Sequence, residues 1–219
     1  MNNRLLAVAN FIKNADQIID VGCDHAWLSI FLIQNKFCNN VINIDCNSAP
    51  LENGKRNVNK LGLSNKISFI LNNGLENLKL DKNIDYVTIC GMGAKNIIDI
   101  IDSSSISPNF YIIQPNNNIP KLRQWLKNNQ YQIVNETVII DNDIYYEILV
   151  IKKGNTNIYN NVDVYIGPIN KLNNSEIFKN YLIYKLNYFS NFDLNMINPN
   201  LRIEIETIKE FCNEKKWIS

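Results

Sequence analysis

Short apolar runs that stop at turn residues, mostly glycine or proline, recur through the first two thirds of this chain. IIDVG (18–22), VINIDCN (41–47), ISFILNNG (67–74), IDYVTICGMG (84–93) and NFYIIQPN (109–116) are the clearest. Runs of this kind suit strands of a parallel sheet, which is covered on both faces. The intervening segments AWLSIFLIQNK, LENGKRNVNKLGL (opened by Pro50), AKNIIDIIDSS and IPKLRQWLKNNQ read as helices. Leu5, Leu6, Val8, Ala9, Phe11 and Ile12 form a helical stripe ahead of the first strand. A five-fold alternation of strand and helix predicts an α/β sheet wound on both faces. The segment 131–153, YQIVNETVIIDNDIYYEILVIKK, then reads as a hairpin turning at Asp141-Asn142-Asp143.

Two strands that follow without a helix imply an antiparallel strand at the end of the sheet. That ending separates the methyltransferase variant of the Rossmann architecture from the dehydrogenase variant. After Lys153 the polar stretch GNTNIYNN reads as a linker. A long helix is expected from Tyr165 on, carrying Phe178, Tyr181, Leu182, Lys185 and Tyr188 or Phe189. A turn at Asn198-Pro199-Asn200 leads to LRIEIETIKEFCNEKKW, and the two helices are expected to pair as a hairpin. The expected division is a sheet domain over 1–154 and a helical hairpin domain over 155–219.

Composition excludes some classes. Of 219 residues, 46% are apolar and 20% charged, and the net charge is +1, so no global basic character announces a nucleic-acid binder. Five cysteines without CxxC spacing and one histidine offer no zinc cluster. Free thiols in a reducing compartment are expected. The N-terminal segment is interrupted by Arg4 and Lys13 and lacks the apolar core of a signal peptide. A cytoplasmic monomer without metal or membrane association is expected.

In a doubly wound sheet the ligand lies beyond the C-terminal ends of the strands. The first strand delivers Asp20, Gly22, Cys23, Asp24 and His25 there; the second delivers Asp45; the third, Asn73 and Gly74. The fourth brings Gly91, Met92 and Gly93, and the fifth Gln114, Pro115 and Asn116. Asp45 stands 23 positions after Gly22, near the offset of a carboxylate that holds a ribose diol, though a turn aspartate reads the same way. The turn after Gly22 holds Cys, Asp, His and Ala rather than GxGxxG. A pyrophosphate would be repelled by Asp24. S-adenosylmethionine (SAM), with its sulfonium and ammonium, tolerates Asp20 and Asp24. Asn73 and Gly74 suit a wall around adenine, or a plain turn.

DVGCDHAWLS, NIDCNSAPLENGKRN, NNGL, ICGMGA, IIQPN and YYEILV, in that order, resemble the bacterial tRNA (adenine-22-N1)-methyltransferase family, often called the TrmK family. The similarity runs from about Arg4 to Lys153, and the C-terminal hairpin matches the family's layout. The chain departs at Cys23, Trp27, Ser29, Ala94 and Ser48-Ala49, where the family usually carries Thr or Ser, Tyr, Pro, Gly and Gly. The resemblance implies a Rossmann-like SAM-dependent methyltransferase sheet, a coiled-coil-like helical appendage, SAM as cofactor and tRNA as partner. Alternatives are a methyltransferase for another RNA base, a protein or a small molecule, and a non-catalytic RNA-binding module.

For methylation of adenine N1, orientation matters more than a base, because N1 already carries a lone pair. Asp24 is the candidate for stabilising the cationic product ring or for accepting from N6, with His25 stacking on the base or orienting Asp24. Gln114-Pro115-Asn116 stands where amino methyltransferases grip the target base. Arg4 is expected to reach RNA phosphate or cover the SAM pocket. Lys55, Arg56, Lys60, Lys121, Arg123 and Lys127 form a candidate phosphate face. Lysines of the hairpin (171, 179, 185, 209, 215, 216) lie among Tyr181, Tyr184 and Tyr188, which are expected mainly to pack the helical seam.

Overall fold

The computed structural model describes residues 2–80, 83–192 and 197–218. Five strands alternate with helices: α1 (Asn3–Ala9), β1 (Ala15–Val21), α2 (Trp27–Gln34), β2 (Cys38–Asp45), α3 (Ser48–Lys60), β3 (Ile67–Leu71), β4 (Tyr86–Met92), α4 (Ala94–Asp102), β5 (Phe110–Pro115) and α5 (Ile119–Asn128). The hairpin β6 (Tyr131–Asp141) and β7 (Ile144–Lys153) follows, then α6 (Asn161–Tyr165), α7 (Glu176–Phe189) and α8 (Pro199–Glu214). All seven strands join one sheet in the order β3-β2-β1-β4-β5-β7-β6. The first five run parallel, and β7 inserts antiparallel between β5 and β6. The strand order reverses between β2 and β4, so the ends of β1 and β4 open the crevice where such sheets bind ligands.

Successive side chains of a strand point to opposite faces, so each apolar run serves two cores. Ile19, Ile113, Leu149 and Ile151 pack on one face with Ile97, Leu122 and Ile133. Ile18, Ile112, Ile148 and Val150 pack on the other with Val8, Leu28, Leu32 and Val58. This double burial is why the strands carry uninterrupted Ile and Val.

Two elements differ from expectation. Residues 72–80 and 83–85, between β3 and β4, hold turns and no helix, which removes one helix from the five-fold alternation. The Asn72 amide donates to the Gly74 and Glu76 carbonyls, and Gly74 and Asn77 are left-handed, so side-chain bonding replaces the helical ladder. The long helix expected from Tyr165 begins only at Glu176 as α7: α6 ends at Tyr165, and a single 3-10 turn at Asn170–Leu172 lies between. Gly167 (φ +110°) precedes Pro168, which ends α6, and Ser175 caps the start of α7 by accepting from the Phe178 N–H. The stretch read as a linker is bonded to the sheet: Asn157 donates to the Ile133 carbonyl and accepts from its N–H, and Ile158 is fully buried.

Helices α7 and α8 pack on the sheet through a third apolar cluster. Val138 and Tyr145 of the hairpin meet Phe178, Leu182, Ile208 and Phe211. Beneath it lies a buried ionic network. Arg123 is 0% exposed, and its guanidinium donates to Glu136 (2.8 Å) and Glu147 (2.5 Å). Tyr181 donates its hydroxyl to Glu147 at 2.6 Å, and Glu136 accepts from the Ile169 and Asn170 N–H groups. Burial lifts the Glu136 carboxyl above the ordinary range, opposed by Arg123. Arg123 is therefore no phosphate contact: its charge is consumed in fastening α5 to the β6–β7 hairpin and α7. No helix among the described residues is long and apolar enough to cross a membrane.

Replacing Arg123 by methionine strands two buried carboxylates, which costs about 3–5 kcal/mol. For a chain of this length the melting temperature should fall by roughly 10 °C. Lys121→Ala, at an exposed site two residues away on the same helix, should move it by no more than about 2 °C. Thermal denaturation followed by circular dichroism compares the two.

Candidate active site

The turn after β1 is built from alternating left-handed residues. Gly22 (φ +74°), Asp24 (φ +45°) and Ala26 (φ +58°) all lie there, and the two non-glycine positions each cost about 1–3 kcal/mol. The turn is held because the Gly22 N–H donates to the Ile44 carbonyl, the Ala26 N–H to the Cys23 carbonyl, and the Asn57 amide to the His25 carbonyl. A side chain on Gly22 would collide with the Met92 methyl, so the turn and the end of β4 close on each other. As a result Asp24 and His25 project outward, with side chains 73% and 47% exposed. His25 Nε2 stands 3.6 Å from Asp24 Oδ1, beyond hydrogen-bond length. Trp27 opens α2 beside them with its indole half exposed.

Asp20 lies below this turn, buried, and accepts a 2.6 Å hydrogen bond from the Thr88 hydroxyl on β4. Burial raises its carboxyl to about 6; Thr88 opposes the rise and the nearby Asp45 charge adds to it. Asp45, at the end of β2, is half-buried and spends one oxygen on the Asn47 N–H at 2.9 Å. Cys23 is buried, and its thiol is pushed far up by desolvation and the surrounding carboxylates.

Across the crevice, β4 and β5 end in a bonded unit. Gln114 is fully buried; its Oε1 accepts from Arg4 Nη1 (2.9 Å) and from the Gly91 N–H (3.1 Å). Its Nε2 donates to the Pro115 carbonyl and to Asn116 Oδ1 (3.1 Å). Asn116 Nδ2 donates to the Gly91 carbonyl at 2.7 Å. Gly91 has φ +77°, and the Arg4 guanidinium fills the space a Cβ would take, 3.1 Å away. Asn117 braces Gly93 by accepting from the Ala94 N–H. Gly74 packs against Ile100, while the Asn73 amide donates to Glu76.

The structure thus gathers Asp20, Gly22, Cys23, Asp24, His25, Asp45, Gly91, Met92, Gly93, Pro115 and Asn116 at one sheet edge. Gln114 is there but sealed inside, unable to touch a base. Arg4 comes from α1, and its guanidinium donates to Gln114 and lies over the Tyr146 ring. Lys55 pairs with Glu52 at 2.8 Å, while Arg56 and Lys121 are exposed. Thr88 and Asn117 were not singled out from sequence. Thr88 left a trace, as the one aliphatic hydroxyl in the run YVTIC; Asn117 left none in a chain so rich in asparagine.

An antiparallel strand inserted at the end of a parallel sheet, with carboxylates rather than a glycine cradle at its open edge, suits a SAM-dependent methyltransferase better than a dinucleotide-binding dehydrogenase. The placing becomes narrower with the match of residues 18–216 to the model of the TrmK family, tRNA (adenine(22)-N(1))-methyltransferase: the chain belongs to that family. The tRNA (adenine(22)-N(1))-methyltransferase of Bacillus subtilis is 31% identical over 157 residues, 70% of this chain and 66% of that protein. M. capricolum TrmK in complex with S-adenosyl-homocysteine superposes with TM-score 0.82 at 34% identity, over 100% of this chain and 99% of that one. Streptococcus pneumoniae Sp1610 in complex with SAM gives TM-score 0.85 at 28% identity, over 96% and 99%.

The donor fits this edge. One Asp45 oxygen is not used by the Asn47 N–H and suits a ribose hydroxyl, and the Asp20 carboxyl below the turn suits a cationic donor. Burial keeps Asp20 protonated up to about pH 6, and only its carboxylate form would attract a cationic donor. SAM affinity measured by calorimetry should therefore rise between pH 5 and 7, and Asp20→Asn should flatten that rise. Without ligand, the raised carboxyl favours folding most below the unfolded value near 4, and this advantage is lost as pH climbs through 6. Asp20→Asn should accordingly stabilise the free protein at pH 8, by at most about 3 kcal/mol.

Proposed function

We infer that this protein transfers the methyl group of SAM to N1 of adenine 22 in tRNA. The observation that carries the reading is the projecting Asp24 carboxylate, exposed at the end of β1 beside the edge that suits the donor. The family of the chain names the acceptor.

SAM supplies the electrophilic methyl. Asp20, Gly22, Cys23 and Asp45 would hold its amino-acid and ribose parts, with Asn73, Gly74 and Met92 near the adenine. The acceptor N1 needs no base to remove a proton, so the protein's task is orientation and charge. Methylation leaves a cationic ring, and the Asp24 carboxylate stabilises that charge more in the transition state than before it. His25 and the half-exposed Trp27 flank the slot for a base turned out of the RNA. Arg56, Lys60 and Lys121, all exposed, would meet phosphates. In the helical hairpin, Lys209 and Lys216 are exposed, while Lys185 pairs with Glu204 at 2.5 Å. Tyr181 belongs to the seam; Tyr184 and Tyr188 remain half exposed and are available to RNA. The C-terminal helices from 155 on thus serve as the second tRNA contact.

Incubation with radiolabelled SAM and an in vitro transcribed tRNA should place one methyl on adenine 22, and a transcript with guanine there should take none. Asp24→Ala should lower kcat by roughly 100- to 1000-fold, with SAM affinity unchanged by calorimetry. Methylation at another nucleotide, or undiminished kcat in the variant, would refute the reading.

A further inference from the structure

We infer that Arg4, acting through the buried Gln114, sets which way the Asn116 carboxamide faces, so that Asn116 reads the N6 and N7 edge of the target adenine and leaves N1 free. This rests on the adenine reading above and adds how the ring is held.

The polarity of the chain of amides follows from groups whose roles cannot be exchanged. A guanidinium only donates, a backbone N–H only donates, and a backbone carbonyl only accepts. Arg4 Nη1 and the Gly91 N–H both meet the same Gln114 side-chain atom, which must therefore be oxygen. The Gln114 nitrogen then donates to the Pro115 carbonyl and to Asn116, whose facing atom must also be oxygen. The Asn116 nitrogen is left to donate to the Gly91 carbonyl, as it does at 2.7 Å. All four hydrogen-bonding positions of Gln114 are used. Asn116 is exposed, and its two bonds consume one N–H and one lone pair, leaving one donor and one acceptor.

A carboxamide edge with a donor beside an acceptor matches adenine in one familiar way: the oxygen accepts from N6–H and the nitrogen donates to N7. The Watson–Crick edge would offer a similar pair, but its acceptor is N1, whose lone pair must meet the methyl carbon. Contact there would block the reaction. The N6/N7 edge adjoins the Watson–Crick edge only at N6, so holding it leaves the N1 lone pair uncovered. β5 lies two strands from β1, about 10 Å across the sheet, so a purine gripped by Asn116 at the end of β5 presents N1 toward Asp24 at the end of β1. With the amide reversed, the ring would bind only when turned over, and N1 would move to the other side of the slot. Arg4 and Gln114 are thus positioning residues, and Asn116 touches the substrate.

The test is a tRNA carrying 7-deazaadenine at position 22, which keeps N1 and N6 and lacks the N7 acceptor. Wild-type kcat/KM should drop about tenfold or more relative to adenine, mainly in kcat. In Asn116→Asp, which has no donor for N7, the two tRNAs should react at rates within about twofold of each other, on a lower common level. Arg4→Met and Gln114→Glu should lose the discrimination in the same way, whereas Arg4→Lys, which still donates to Gln114, should keep it. A loss of activity through misfolding alone lowers both substrates together and cannot remove a wild-type preference. Equal wild-type rates on the two tRNAs, or a preference that survives in Arg4→Met, would overturn the inference. Failure of wild type to methylate even the adenine tRNA would instead defeat the underlying function.

Discussion

The end of β1 depends on a left-handed backbone turn that glycine adopts without strain. Gly22 turns in the left-handed region directly against the Met92 methyl, and its N–H is tied to Ile44 on β2. Because this point is pinned on both sides, the next residues cannot relax into the helix that follows. Asp24 and Ala26 stay left-handed, and α2 starts without a side-chain cap. The strain is sustained by the parallel ladders on either side of β1, which bury Ile18, Ile19 and Val21 in two cores. An exposed carboxylate and imidazole are therefore presented on rigid backbone rather than on a loose loop, which a reaction governed by orientation requires.

Charge is distributed in two layers. Near the ligand edge, Asp20 is kept at the margin of ionisation by burial, with one hydrogen bond from Thr88. Farther from the edge, Arg123 is fully committed to Glu136 and Glu147, and Tyr181 completes the shell. That network spends charge on holding α7 against the β6–β7 hairpin. Since α1 also reaches the hairpin, through the Asn3 N–H to Asp141 and Arg4 over the Tyr146 ring, the last two strands carry both the N-terminal helix and the C-terminal helices. The insertion of β7 thus serves more than sheet closure.

Much of this was readable in advance where the physics is local. Apolar runs ending in Gly22, Gly74, Gly91 and Pro115 mark strands and their ends because strand geometry, double-sided burial and turn chemistry act over a few neighbouring residues. Breaks that rest on a single residue were harder. Gly167 with Pro168 interrupted a stretch whose spacing was otherwise helical. Arg123 shows the limit most clearly. It stands between exposed Lys121 and half-buried Lys127 on an amphipathic helix, and nothing in the local pattern distinguishes it from them.

The sequence by itself determined the sheet, its C-terminal ligand edge and the identity of the residues delivered there, because each of these follows from periodicity and short-range backbone constraints. Only the tertiary structure decided which of those residues face outward and which are consumed inside. Gln114 and Asn116 are two positions apart, yet one is sealed under Arg4 and the other is open. The cause is a partner 110 residues away in the chain, Arg4, whose bond to Gln114 exists only once α1 has docked.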